Sequence, residues 1–165
     1  MTLISPMGRY ITRKKIKDEE GNIIEDDSLE VVSESDTNPH LEPCGGFPRG
    51  RVHFDAEPGS RMMVSWKTKF PDLKGNCTVR IGSKGDNGSF STLYPLDKSG
   101  KKTKGSFPCG REASGQEFKH FKLPQNTTCD SCTLQLTWDT KASGKLNMCA
   151  DMSILGGEKL ADCSG

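Results

Sequence analysis

Apolar residues along this chain come in short runs that mostly alternate with polar ones, the pattern of half-buried strands. Thr2-Leu3-Ile4-Ser5 reads as a first strand stopped by Pro6. Tyr10 to Ile16 is predicted to extend it as an edge, with Arg13, Lys14, Lys15 and Lys17 keeping that edge soluble. Arg51-Val52-His53-Phe54 and Met62 to Lys67 read as strands on either side of the turn Asp55-Ala56-Glu57-Pro58-Gly59-Ser60. Cys77 to Gly82, Ser89 to Leu93, Glu117 to Leu123, Cys132 to Trp138 and Asn147 to Leu155 complete the set. No segment carries a long 3.6-residue apolar period, so helix is expected to be scarce. Short strands joined by turns rich in Gly, Pro, Asn and Asp predict an all-β sandwich with long loops.

The pattern also predicts the organisation. One sandwich domain is expected over residues 1–160, with an acidic loop insertion at 18–40, and 161–165 is read as the start of a tail or further module. Asp18 to Asp36 holds nine carboxylates and no basic residue. A calcium loop of the EF-hand kind needs acidic ligands in a fixed register with a central glycine, and that register is absent. A solvated insertion is the better reading, with Ile23-Ile24 and Val31-Val32 as a small hairpin inside it.

Composition changes the picture in one respect. Of 165 residues only 32% are hydrophobic, so the core is expected to be modest. Seven cysteines stand at 44, 77, 109, 129, 132, 149 and 163, many for a cytosolic chain of this size. Zinc would want two close ligand pairs, and only Cys129-Asp130-Ser131-Cys132 is one. That pair is followed by the strand-like Thr133-Leu134-Gln135-Leu136-Thr137-Trp138 rather than a helix, which argues against a thioredoxin-like site. Structural disulfides, and hence a secreted, extracellular or cell-surface location, are the expectation. Three Asn-x-Ser/Thr triplets, at Asn76, Asn87 and Asn126, fit a glycoprotein; those at Asn87 and Asn126 sit among turn residues, and Asn76 is the poorer acceptor. The chain shows no signal peptide and no run of eighteen apolar residues, so it is read as a mature or recombinant form with no membrane insertion. A net charge of +1 gives no global reason to expect nucleic acid.

Candidate chemistry is sparse. There is no Gly-x-Ser-x-Gly elbow and no phosphate-cradling glycine loop. The histidines are His40, His53 and His120, none in His-x-x-x-His spacing. The run Lys98, Lys101, Lys102 and Lys104 lacks interleaved aromatics and reads as a solvated loop, with contact to an anionic glycan the minor reading. Tyr10, Phe47, Phe70 and Tyr94 are candidate contact aromatics, while Trp66 and Trp138, mid-strand, are assigned to the core.

Several short motifs occur in an order that resembles a known group. Leu3-Ile4-Ser5-Pro6-Met7-Gly8-Arg9, Pro43-Cys44-Gly45-Gly46, Phe107-Pro108-Cys109, Cys129-Asp-Ser-Cys132-Thr-Leu-Gln-Leu and Cys149-Ala150-Asp151-Met152 follow one another as in lytic polysaccharide monooxygenases. The likeness extends to chitin-binding type-4 domains and fungal copper-acquisition factors. It implies an immunoglobulin- or fibronectin-III-like β-sandwich with Cys44 bridged to Cys149. The remaining pairs, Cys77 with Cys109 and Cys129 with Cys132, stay guesses, and the partner of Cys163 stays open. The resemblance further implies copper, held by an N-terminal histidine and a second histidine, and a polysaccharide partner such as chitin or another extracellular glycan. Nitrogen donors of this kind suit copper in both oxidation states.

The chain departs from that pattern at its first residue. Aligning Pro6 with the family proline places the required histidine immediately before Met1, and a thioether is a poor donor to Cu(II). Where some relatives have His-Pro this chain has Glu57-Pro58. His53 is the candidate second ligand, with His40 behind it. Two readings follow, and whether the protein is an enzyme stays open between them. One is a secreted copper-binding, polysaccharide-associated module with doubtful catalysis. The other is a non-catalytic matrix or cell-surface binding domain on the same scaffold.

Overall fold

A computed structural model describes residues 1–9, 11–31, 38–52, 54–112 and 116–156. Eleven strands are present among them: β1 (Thr2–Ser5), β2 (Ile11–Lys17), β3 (Ile23–Val31), β4 (Phe54–Ala56), β5 (Arg61–Lys67), β6 (Asn76–Gly82), β7 (Ser91–Leu93), β8 (Phe107–Pro108), β9 (Gln116–Lys122), β10 (Cys129–Thr140) and β11 (Gly144–Ile154). They build a six-stranded sheet in the order β4-β11-β10-β6-β7, with β8 also on β6, and a three-stranded sheet in the order β1-β5-β9. No helix occurs among the described residues, and the fold is an all-β, disulfide-bonded sandwich as the alternation predicts.

The two inner faces make the core. From the large sheet come Leu134, Leu136, Trp138, Met148, Ala150, Met152 and Ile154; the small sheet supplies Leu3, Val64, Trp66 and Phe121. Each buried aliphatic or aromatic side chain contributes about 1.5–3 kcal/mol, so β10 and β11 anchor the molecule. Trp66 and Trp138 are both in this core, as assigned.

The outer face of β10 and β11 is unusual because it is buried yet polar: Thr133, Gln135, Thr137, Asn147 and Asp151 all lie there. Segment 38–50 covers it. Gln135 Nε2 donates to the Pro43 carbonyl at 2.9 Å, and the Asn147 amide donates to the Pro39 carbonyl at 2.8 Å. Cys44 is bridged to Cys149 beneath that segment, Cys77 to Cys109 between β6 and the loop after β8, and Cys129 to Cys132 across a bulge in β10. Cys163 and the stretch 161–165 lie outside the described residues.

Two sequence expectations are corrected. Residues 11–17 do not extend β1. After Pro6 the chain turns, Gly8 N donates to Leu3 O at 3.2 Å, and Arg9 N bonds Cys149 O at 2.9 Å, which carries the chain across to β11. Residues 11–17 instead pair with β3, so the basic strand stands against the acidic one, with Lys15 opposite Glu25 in register. The small hairpin expected between Ile23-Ile24 and Val31-Val32 is likewise absent, because Ile23 to Val31 form one continuous strand. The turn lies earlier: Asp18 Oδ1 accepts the amides of Glu20 and Asn22, and Gly21 takes φ +85°. Asp18 is spent on that turn, as a turn-forming aspartate should be.

Candidate functional site

Met1 packs onto the core at one end of the sandwich. Its neighbour is Gly110, whose φ of +62° favours glycine and whose missing Cβ would lie 2.8 Å from both the Met1 methyl and the Trp138 ring. Trp138 Nε1 donates to Cys109 O at 3.3 Å, and Gly110 N donates to Glu117 Oε1 at 3.1 Å. A cleft of about 310 Å³ opens here between Pro108, Cys109, Arg111 and Glu117. Arg111 is committed to it, with Nε on Gly75 O at 2.9 Å and Nη2 on Asn76 Oδ1 at 3.1 Å.

The loop from β5 to β6 closes the same end. Asp72 N bonds Gly110 O at 3.0 Å, and the Asp72 carboxylate accepts the amides of Lys74 and Ala142. Those bonds, the one from Ala142 first, hold the exposed Asp72 carboxyl below its ordinary pKa. The loop is fixed at Asp72 yet presents Phe70 (76% exposed) and Leu73 (81% exposed) to solvent. Lys69 Nζ stands 5.5 Å from the Phe70 ring centroid. Rigid support under exposed apolar side chains is a feature of binding surfaces rather than of core packing.

A second cleft of about 320 Å³ lies at the opposite end of β5, lined by Phe54, Asp55, Ala56, Glu57, Arg61 and Leu155. Its geometry follows from the registers. Thr2 pairs with Lys67, whereas Arg61 starts the strand; six residues at about 3.3 Å each put these ends about 20 Å apart. On β11, too, Phe54 aligns with Met152 while Trp138 aligns with Leu146. Phe54 to Arg61, including Glu57, therefore belong to the end away from Met1.

Between these ends lies a buried ionic knot that sequence reasoning missed. The Arg9 side chain is only 2% exposed. Its Nε and Nη2 hold Asp151, with Nη2 to Oδ1 at 2.8 Å, while Nη1 and Nη2 hold Asp86 at 2.7 and 2.9 Å. Thr133 Oγ1 donates to Asp86 at 2.7 Å, Gly50 N donates to Asp151 at 3.0 Å, and Arg9 Nη1 also donates to Phe47 O at 3.1 Å. Burial opposes the guanidinium charge, but the bonds to Asp86 and Asp151 outweigh it and hold the Arg9 pKa above its ordinary value. The Arg9 bond pulls the Asp86 carboxyl below the usual range against its partial desolvation. Only the Pro-x-x-Arg spacing hinted at this knot; its partners are 77 and 142 residues away.

The expected site residues fall as follows. His53 and Tyr10 lie outside the described residues. His40 is exposed in the segment over the outer face of β11, with Nδ1 3.0 Å from Lys145 O. Met1 is on the inner face of that sheet, so the fold does not bring these two together. Asn87 and Asn126 are exposed, while Asn76 is half-buried and accepts from Arg111. Phe47 is partly buried against the core, and Phe70 and Tyr94 are exposed.

No known protein family and no curated protein matches the chain. Among solved structures it is similar to a lytic polysaccharide monooxygenase of the AA15 group from Thermobia domestica, in its Cu(I) state. The TM-score is 0.52 at 21% identity, over 68% of this chain and 75% of that one. At that identity the likeness establishes a shared β-sandwich fold.

That neighbour makes copper the group to test against the residues present. Among the described residues no three His, Cys, Asp or Glu side chains gather as metal ligands. The segments framing the end where Met1 lies, 68–75 and 105–112, contain no histidine. Two carboxylates line the adjacent cleft, Glu112 and Glu117; Glu117 already accepts from Gly110, and Arg111 adds positive charge beside them. The described residues do not fit a copper centre, and no chemical step is derived through one.

Proposed function

We propose that this protein is an extracellular, polysaccharide-associated binding module on a lytic polysaccharide monooxygenase-like sandwich. The observation that supports this reading most is the end bearing Met1. It pairs a firmly held loop carrying exposed Phe70 and Leu73 with an adjacent polar cleft at Arg111 and Glu117. The flat Phe70 ring can stack on a sugar face with Leu73 adding apolar contact, and a nearby cation and carboxylate can hydrogen-bond hydroxyls. Copper has no part in this reading: His53 lies outside the described residues, and its chain neighbour Phe54 belongs to the end away from Met1. Three disulfides favour an oxidising compartment.

Sedimentation with insoluble chitin and cellulose tests the proposal. The expected outcome is retention of the wild-type protein and loss of about tenfold in affinity, or ~1.4 kcal/mol, for Phe70→Ala/Leu73→Ala. No retention on either polymer would sink the reading. Calorimetric titration of copper into a form with an authentic processed start separates it from the oxidative alternative: tight, stoichiometric uptake favours the latter.

A further inference from the structure

The outer face of the small sheet has a composition that no single stretch of sequence displays. Arg61 pairs with Lys122, and Met63 pairs with His120. The sheet is then widened by two more segments beyond β9. Pro95 bridges to Phe121 and Leu96 N donates to His120 O at 2.8 Å, so residues 94–96 lie along β9. Leu96 bridges in turn to Lys102, and Thr103 N donates to Pro95 O at 2.8 Å. Continuing that register sets Lys104 beside Tyr94 and Tyr94 beside Lys122.

Parity decides which side chains share the face. Phe121 and Pro95 are buried and point inward, so Lys122, Tyr94, Lys102 and Lys104 point outward with Arg61. Lys102 Nζ stands 5.9 Å from the Tyr94 ring centroid. Tyr94 is 43% exposed and Phe118, on the same face of β9, is 56% exposed. His120 meets the Phe118 ring edge to face at 5.6 Å, which fixes that aromatic in place.

None of the outward positions on β1, β5, β9, 94–96 or 102–104 is an Asp or Glu. Asp97, at the following turn, is tied up by the amides of Ser99 and Lys101 and by the Ser99 hydroxyl. Arg61, Lys102, Lys104 and Lys122, clustered toward one end of this face, and Lys67 toward the other, form no ion pair with a carboxylate among the described residues. Neighbouring strands are about 4.8 Å apart, well within a Debye length, so their potentials add. A chain of net charge +1 has thus concentrated positive charge on one aromatic-bearing face.

We propose that this face binds an anionic polysaccharide, one carrying sulfate or carboxylate groups along an extended chain. The cations of Arg61, Lys102, Lys104 and Lys122 meet the acidic groups, and the rings of Tyr94 and Phe118 meet the sugar faces. Single-stranded nucleic acid shares that chemistry in part. The disulfides place the protein where polyanions are predominantly glycans, which selects the polysaccharide. The surface is separate from the loop of Phe70 and Leu73, so this inference stands or falls independently of chitin binding.

Heparin and polygalacturonate are the probes, with a single-stranded oligonucleotide as competitor. Affinity is measured at several salt concentrations for wild type, for Lys104→Glu/Lys122→Glu and for Lys141→Glu/Lys145→Glu, two exposed lysines elsewhere. Circular dichroism confirms that each variant is folded. The wild type is expected to bind at least one probe, with affinity falling steeply with salt. The first variant is expected to lose about tenfold or more and the control no more than about twofold. The inference is overturned by absence of binding to both probes at low salt, by equal losses in the two variants, or by an oligonucleotide that displaces the glycan at equal charge concentration.

Discussion

Arg9 and Asp151 stand 142 residues apart in sequence and share a two-pronged ion pair, Nε and Nη2 on one carboxylate, sealed within the molecule. Asp86 takes the opposite edge of the same guanidinium. The knot joins the turn after β1, the loop before β7, β10 through Thr133 and β11, and so ties both sheets to the covering segment at Gly50. A buried ion pair need not stabilise relative to an apolar replacement, but removing one member leaves charge uncompensated.

Arg9→Ala would leave two carboxylates facing each other, and a loss of about 3–5 kcal/mol is expected. Urea unfolding followed by tryptophan fluorescence measures it. Arg9→Lys should recover only part of the loss, because an ammonium cannot hold both carboxylates edge-on. A loss below about 1 kcal/mol for Arg9→Ala would show that the knot is not a structural tie.

Asp86 gives the pH dependence. Its folded pKa is lowered by Arg9, so the unfolded chain binds its proton more tightly than the folded one. Its contribution is present above an ordinary carboxyl pKa of about 4 and is lost as pH falls through the lower folded value. Asp86→Asn is expected to be less stable than wild type near neutrality, with the gap narrowing below about pH 4. Thermal scans from neutral to acidic pH check this, and a gap independent of pH would contradict it.

Gly110 combines positive φ with contact against Trp138 and Met1. Gly110→Ala is expected to cost about 1–3 kcal/mol and to change the near-ultraviolet signal of Trp138. Gly144 also has positive φ but open space around its missing Cβ, so Gly144→Ala should cost less. Equal costs would mean that backbone strain, and not the ring contact, governs both.

The bridges should differ in weight. Cys44–Cys149 closes a separation of 105 residues and Cys129–Cys132 one of three. Chain entropy alone assigns them about 5 and about 1.5 kcal/mol at 25 °C. Paired Ser replacements compared by chemical denaturation test that ranking, and the opposite order would show that native contacts dominate.

The alternation of Met62-Met63-Val64-Ser65-Trp66 and of Leu134-Gln135-Leu136-Thr137-Trp138 announced strands with Trp inside, because a period of two is a local property. Cysteine number announced an oxidised, stapled sandwich for the same reason: composition needs no partner. Local pattern cannot say which strand a segment pairs with: it sets Tyr10 to Ile16 along the edge of β1, whereas β2 pairs with β3. Nor could it show that Glu57 and Met1 lie at opposite ends of β5, which is decided by register.

Strand existence and broad class were thus determined by the sequence itself, through side-chain periodicity and covalent chemistry. The Arg9 knot and the cationic face shared by Arg61, Lys122 and Lys104 were decided only by tertiary structure. Each brings together charges that are tens of residues apart, and Coulomb and packing energies depend on distance in space rather than along the chain.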